Sequence, residues 1–123
     1  MVLELEFKLA TAAFGGGIGA ACRVLIYHWF QKQSSFPWAT FGINVVGSLL
    51  LGILFVVARD RPAMLLLLGA GFCGGFTTFS TFSLEALNLL ESGRWVEAAA
   101  YAQGSVIAGL MGVWLGVQIG KLI

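Results

Sequence analysis

Four long apolar stretches run along this chain, about Leu9 to Phe30, Trp38 to Ala58, Met64 to Leu90 and Trp95 to Ile119. Each reaches the roughly 20 residues that a helix needs to cross a ~30 Å hydrocarbon core. The joins between them are short and carry turn and charge signals: Gln31-Lys-Gln-Ser-Ser-Phe-Pro37, Arg59-Asp-Arg-Pro62 and Glu91-Ser-Gly-Arg94. Trp29, Trp38 and Trp95 fall at stretch ends, where headgroup depth suits an indole. The pattern predicts an all-α membrane protein, one four-helix domain over residues 1–123 with no soluble part.

Composition agrees and removes other classes. With 59% hydrophobic and 11% charged residues, the chain has too few solubilising groups for a water-soluble globule. The net charge of +1 comes from scattered residues, so nothing follows a nucleic-acid backbone. No secretory signal is expected, because Met1-Val-Leu-Glu-Leu-Glu-Phe-Lys8 is as acidic as it is basic. Cys22 and Cys73 fall inside spans without metal-ligand spacing and read as buried apolar cysteines, and His28 reads as interfacial. Enzyme chemistry lacks a nucleophile with a base beside it, a metal cluster or a phosphate loop.

The third stretch is interrupted near its middle by Gly71-Phe-Cys-Gly-Gly-Phe-Thr-Thr-Phe-Ser-Thr-Phe-Ser83, a run read as unable to continue a regular helix. Backbone freed at mid-membrane is tolerated only where protein buries it or a polar pathway passes. An ion or substrate site at the midplane follows, against a plain glycine kink that helps helices pack. Phe79 and Phe82 lie three apart just beyond the glycines, with electropositive ring edges that can attract a small anion, or with rings that only fill space. Ser80, Thr81 and Ser83 add hydroxyl donors, while Thr77, Thr78 or Ser80 can equally cap the restarting helix.

The other spans add polar residues. Thr40, Asn44 and Ser48 share one face of the second, as a polar path or as interhelical hydrogen-bond glue. Arg23 in the first span suits an anion-attracting vestibule, or it snorkels to the boundary. Glu85 is too repulsive for an anion ligand and better suits a structural or gating hydrogen bond. Tyr101 and Ser105 share a face of the last span, where Gly104, Ala108, Gly112, Gly116 and Gly120 form a smooth ridge; Gly15 and Gly19 do so in the first.

Both termini and the second join lie on one side, with Lys8, Arg59, Arg61 and Lys121, against Lys32 and Arg94 on the other. That bias is weak, so insertion in both orientations is expected. A chain this small hardly encloses a polar path alone, and an antiparallel, dual-topology homodimer would bring two midspan breaks together. A parallel dimer or a subunit of a larger complex is the competing arrangement.

Together, Gly15-Gly-Gly-Ile-Gly19 with Arg23, Phe36-Pro-Trp-Ala-Thr-Phe-Gly-Ile-Asn-Val-Val-Gly-Ser48, and the Gly71-to-Ser83 run continued to Glu85 resemble the CrcB/Fluc family of fluoride channels. The resemblance implies antiparallel dual-topology dimers in a bacterial inner membrane, with two pores each lined by both subunits. It further implies that Phe79 and Phe82 form the aromatic pore box, that Asn44 donates its amide to fluoride, and that Glu85 stands beside the pore. A structural sodium ion (Na+) at the dimer centre would be held by the backbone carbonyls of Gly74 and Thr77. The family's polar track maps onto Tyr101 and Ser105, but its next hydroxyl falls at Gly109, a departure. The implied activity is passive, fluoride-selective export that confers fluoride resistance. The alternative is a small multidrug-type, proton-coupled cation exporter, which needs a carboxylate in the first span where this chain has Arg23. A non-transporting assembly subunit is a third class.

Overall fold

A computed structural model describes residues 4–30 and 35–123, so Lys32 and the start of the first join lie outside the described residues. Among the described residues four helical spans occur: α1 (Leu5–Phe30), α2 (Trp38–Val57), a third span over Pro62–Glu91, and α5 (Trp95–Leu122). The third consists of α3 (62–76) and α4 (Phe79–Glu91), separated by Thr77 and Thr78. All four spans are long and apolar enough to cross a membrane.

The expected boundaries shift in two places. α1 begins at Leu5, ahead of the apolar stretch, because Glu6 in its first turn complements the positive end of the helix. Its 26 residues cover about 39 Å, so the first turns rise past the hydrocarbon core. The interruption of the third span is also narrower than the glycine run. Gly71, Gly74 and Gly75 remain helical, and Leu65–Cys73 winds in wide turns of i→i+5 hydrogen bonding. Only Thr77 and Thr78 adopt extended backbone.

Glycine lets the helices meet backbone to backbone. α1 lies against α3: a methyl group at Gly15 would strike the Leu67 carbonyl, one at Gly19 the Phe72 carbonyl, and one at Gly75 the Gly16 carbonyl. The most extensive packing is α2 against α5, where a methyl group at Gly116 would strike the Leu49 carbonyl and one at Gly52 the Val113 carbonyl. The ridge on α5 is used in its second half. Gly112, Gly116 and Gly120 are buried, whereas Gly104 has open space beside it.

A tight turn joins α4 to α5. Gly93 takes φ 76°, and the N–H groups of Gly93 and Arg94 donate to the carbonyls of Leu90 and Leu89 at 3.0 and 2.9 Å. This pairing closes the end of α4 and needs a residue tolerant of left-handed backbone. Arg94 then pairs with Glu97 and donates to the Ser35 carbonyl at 3.2 Å, tying this turn to the start of α2. Trp29, Trp38 and Trp95 are exposed at helix ends, as is His28; Cys73 is buried but Cys22 only partly so.

Candidate ion pathway around the helix break

Hydrogen bonds from three helices hold the break open. Thr78 N–H donates to Asn44 Oδ1 at 2.8 Å, and Asn44 Nδ2 donates to the Thr78 carbonyl at 3.1 Å. The amide of α2 therefore replaces the helix as partner to both backbone groups of Thr78, which is only 9% exposed. Thr78 Oγ1 accepts from Thr81 N–H at 3.1 Å and so caps α4; of the three candidate caps, Thr78 is the one used. Thr77 closes α3, its N–H and Oγ1 both donating to the Cys73 carbonyl at 3.0 and 2.8 Å.

These bonds release particular carbonyls. In a continuous helix Thr78 N–H would donate to Gly74 O, and Thr81 N–H to Thr77 O. Here the first is taken by Asn44 and the second by the Thr78 cap. The next carbonyl, Gly75 O, accepts from Arg23 Nε at 3.1 Å. Arg23 thus ends on the negative pole of α3, a favourable place for a guanidinium, and it lines neither of the two larger cavities.

Beside the break lies an open groove of about 510 Å³ whose wall includes Asn44, Ser48, Gly74, Thr77, Phe82 and Ser105. Phe79 also lines it, 79% exposed in the single chain, with its ring centroid 5.7 Å from that of Phe82. Asn44 keeps one amide N–H beyond the bond to Thr78, because a primary amide carries two. The Ser105 hydroxyl is buried and has no hydrogen-bond partner among the described residues. Ser48 donates to the Asn44 carbonyl at 2.7 Å. Among the described residues no group of three His, Cys, Asp or Glu could hold a metal, so a cation here would depend on backbone oxygens.

Toward one membrane face the groove meets a wall of rings and then a second cavity of about 410 Å³. Phe82 packs on Tyr101 at 4.9 Å between centroids, and Phe36 meets Tyr101 edge-on at 5.4 Å. The Tyr101 hydroxyl donates to Glu85 Oε1 at 3.0 Å, and Glu85 lines the second cavity. Thr40, fully buried, bonds Tyr27 Oη at 2.8 Å. Tyr27 and Glu85 both line the second cavity, and Tyr101, which is bonded to Glu85, packs on Phe82 of the groove wall.

The remaining hydroxyls serve the backbone or one another. Ser80 and Thr81 bond Thr78 Oγ1 at 3.3 and 3.1 Å, while Ser83 donates to the Phe79 carbonyl at 2.9 Å and is exposed. Sequence reasoning missed Thr78 as the partner of Asn44, and Tyr27 as the partner of Thr40. Tyr27 lies four residues after Arg23 on α1, so a shared helical face was a readable signal for it.

Comparison with known proteins adds the lineage. A "Fluoride-specific ion channel FluC" of Novosphingobium aromaticivorans is 47% identical over 120 residues, covering 89% of this chain and 93% of that protein. One from Nitrobacter winogradskyi is 46% identical over 127 residues, covering 98% of this chain and all of the relative. Another, from Phocaeicola vulgatus, is 42% identical over 119 residues, covering 93% of this chain and 98% of the relative. The family described as "CrcB-like protein, Camphor Resistance (CrcB)" matches residues 10–117, and the chain belongs to it.

Proposed function

We propose that this chain is a fluoride-selective, passive ion channel that exports fluoride from a bacterial cytoplasm. The observation that carries it is the groove at the helix break, where uncommitted donors stand beside aromatic edges: the second Asn44 N–H, the Ser105 hydroxyl, Phe79 and Phe82. Relatives named fluoride-specific ion channels support the same reading. Fluoride is small and strongly hydrated, so a pore must replace its water with several weak donors in series rather than one tight charge. An ion channel of this kind is not an enzyme. The exporter reading finds no such support, since Arg23 occupies the span where it needs a carboxylate.

The working unit in this proposal is an antiparallel homodimer in the inner membrane, with lipid around it and two pores. Phe79 and Ser80 are exposed in the single chain and the groove is open on one side, so a second copy would complete its wall. The break falls near the middle of the Pro62–Glu91 span, so a two-fold axis in the membrane plane places two breaks face to face. Backbone oxygens are suitable ligands for a hard cation, and the Gly74 and Thr77 carbonyls, both released from the helical pattern, fit a structural sodium ion there. Such an ion would neutralise carbonyl dipoles at the dimer centre. Each of the other proposed roles belongs to side chains: Asn44 and Ser105 donate to the anion, Phe79 and Phe82 present ring edges, and Tyr101 and Glu85 stand at the exit.

A membrane potential with equal pH on both sides separates channel from exporter. Liposomes carrying the protein are expected to release fluoride under a potassium-diffusion potential alone. A requirement for a proton gradient, or transport of a cationic dye, would favour the exporter instead.

A further inference from the structure

The polar face of α5 stops where this chain has Gly109. Tyr101, Ser105 and Gly109 follow at four-residue intervals and share one side of the helix. Tyr101 is bonded to Glu85, Ser105 has a hydroxyl on the groove with no partner among the described residues, and Gly109 has no side chain to offer. The gap is filled from the neighbouring helix. A Cβ built on Gly109 meets Ser48 Oγ at 3.7 Å, and one built on Gly112 meets Ser48 Cβ at 3.5 Å. Ser48 of α2 therefore sits in a recess that two glycines of α5 create, on the wall of the same groove as Asn44 and Ser105.

The hydroxyl of Ser48 is engaged in one local bond. It donates to the Asn44 carbonyl one turn back, at 2.7 Å, a local bond of the kind that slightly weakens a helix. Because that carbonyl also belongs to the helical ladder, turning the hydroxyl into the groove leaves no backbone group without a partner. A hydroxyl rotates freely enough to donate to an anion and then return.

We propose that Ser48 supplies, from α2, the hydroxyl that position 109 lacks, so that an anion at Ser105 is passed across the α2–α5 interface. The proposal rests on the reading of this groove as the fluoride path. It makes Ser48 a ligand and Gly109 the space that admits it. The opposing account is that Ser48 is small only because the helices approach closely, and then an alanine serves as well.

Ser48→Ala, Gly109→Ser and the double variant, each reconstituted beside wild type, separate the two accounts through rates of fluoride release read with an electrode. Ser48→Ala is expected to slow release at least about tenfold, the scale of one lost hydrogen bond to an anion. The double variant, with a hydroxyl restored on α5 in space at ordinary contact distance, is expected to recover to within about threefold of wild type. Release by Ser48→Ala within about twofold of wild type would overturn the proposal, as would a double variant no faster than the single one, because a hydroxyl on the other helix repairs no packing loss. Wild-type protein that releases no fluoride would overturn the channel reading first, and this proposal with it. Should the double variant aggregate, Ser48→Thr takes its place: conduction near wild type supports the ligand role, and a loss equal to that of Ser48→Ala overturns it.

Discussion

Replacing Asn44 by alanine removes the side chain that both shapes the break and faces the groove. Two bonds are lost at once, to Thr78 N–H at 2.8 Å and to the Thr78 carbonyl at 3.1 Å. Each group left unpaired in a buried position costs about 1–3 kcal/mol, so the pair amounts to roughly 2–6 kcal/mol if the break keeps its shape. Thr78 N–H can instead return to Gly74 O and straighten the helix, which limits the cost but withdraws the carbonyl and closes the groove. Either outcome comes with the loss of the second amide N–H, the donor proposed for the anion, whose removal alone would correspond to roughly 10- to 150-fold in rate.

Two readouts on the same preparations follow these effects: thermal denaturation in detergent, and fluoride efflux from liposomes. Asn44→Ala is expected to melt earlier than wild type and to release fluoride at least about tenfold more slowly. Asn44→Asp keeps the acceptor for Thr78 N–H but sets a carboxylate oxygen against the Thr78 carbonyl and puts negative charge on the path, so it is expected to melt earlier than wild type and to fail to conduct. An alanine variant with wild-type melting and wild-type efflux would refute both roles of Asn44.

Further expectations test other parts of the account. Phe82→Ile keeps apolar bulk but removes the ring edge beside Phe79 and Tyr101, so efflux is expected to be lost while the oligomeric state on size exclusion is unchanged; conduction at the wild-type rate would remove Phe82 from the pore. Gly75→Ala and Gly116→Ala drive a methyl group into the carbonyls of Gly16 and Leu49, so each is expected to lose about 1–3 kcal/mol or more, whereas Gly104→Ala meets open space and is expected to keep its melting temperature. Tyr101→Phe keeps the ring packing but removes the donor to Glu85, with an expected loss of about 1–3 kcal/mol in thermal unfolding; no change would deny that bond a structural part. Exchanging sodium for a large organic cation during reconstitution is expected to loosen the dimer, read by cross-linking, and an unchanged dimer would argue against the Gly74 and Thr77 carbonyls as its ligands.

Much of the fold could be read from the sequence because membrane spans declare themselves by length and apolarity. Four such stretches and a helix interrupted in mid-membrane follow from hydropathy and from the polar and aromatic run after Gly71. The exact site of the interruption did not follow. Glycine permits a break without requiring one, and here Gly71, Gly74 and Gly75 all stay helical, with α1 packed directly on Gly71 and Gly75. The break instead lands on Thr77 and Thr78, where Asn44 and the Thr78 hydroxyl offer the backbone better partners than the helix does. Periodicity could place Asn44 on a polar stripe but could not distinguish interhelical glue from anion donor, since each of its two N–H groups is available for a different task. Arg23 posed the same difficulty: its depth was readable, but its bond to Gly75 O depends on the three-dimensional approach of α1 to the end of α3.

The central claim, that the groove beside the Asn44-held break conducts fluoride selectively, is tested most directly by efflux from liposomes containing the purified protein. Fluoride and chloride are loaded together and followed in parallel after addition of a potassium ionophore. The account predicts rapid fluoride release with chloride retained; release of both ions, or of neither from demonstrably dimeric protein, would contradict it.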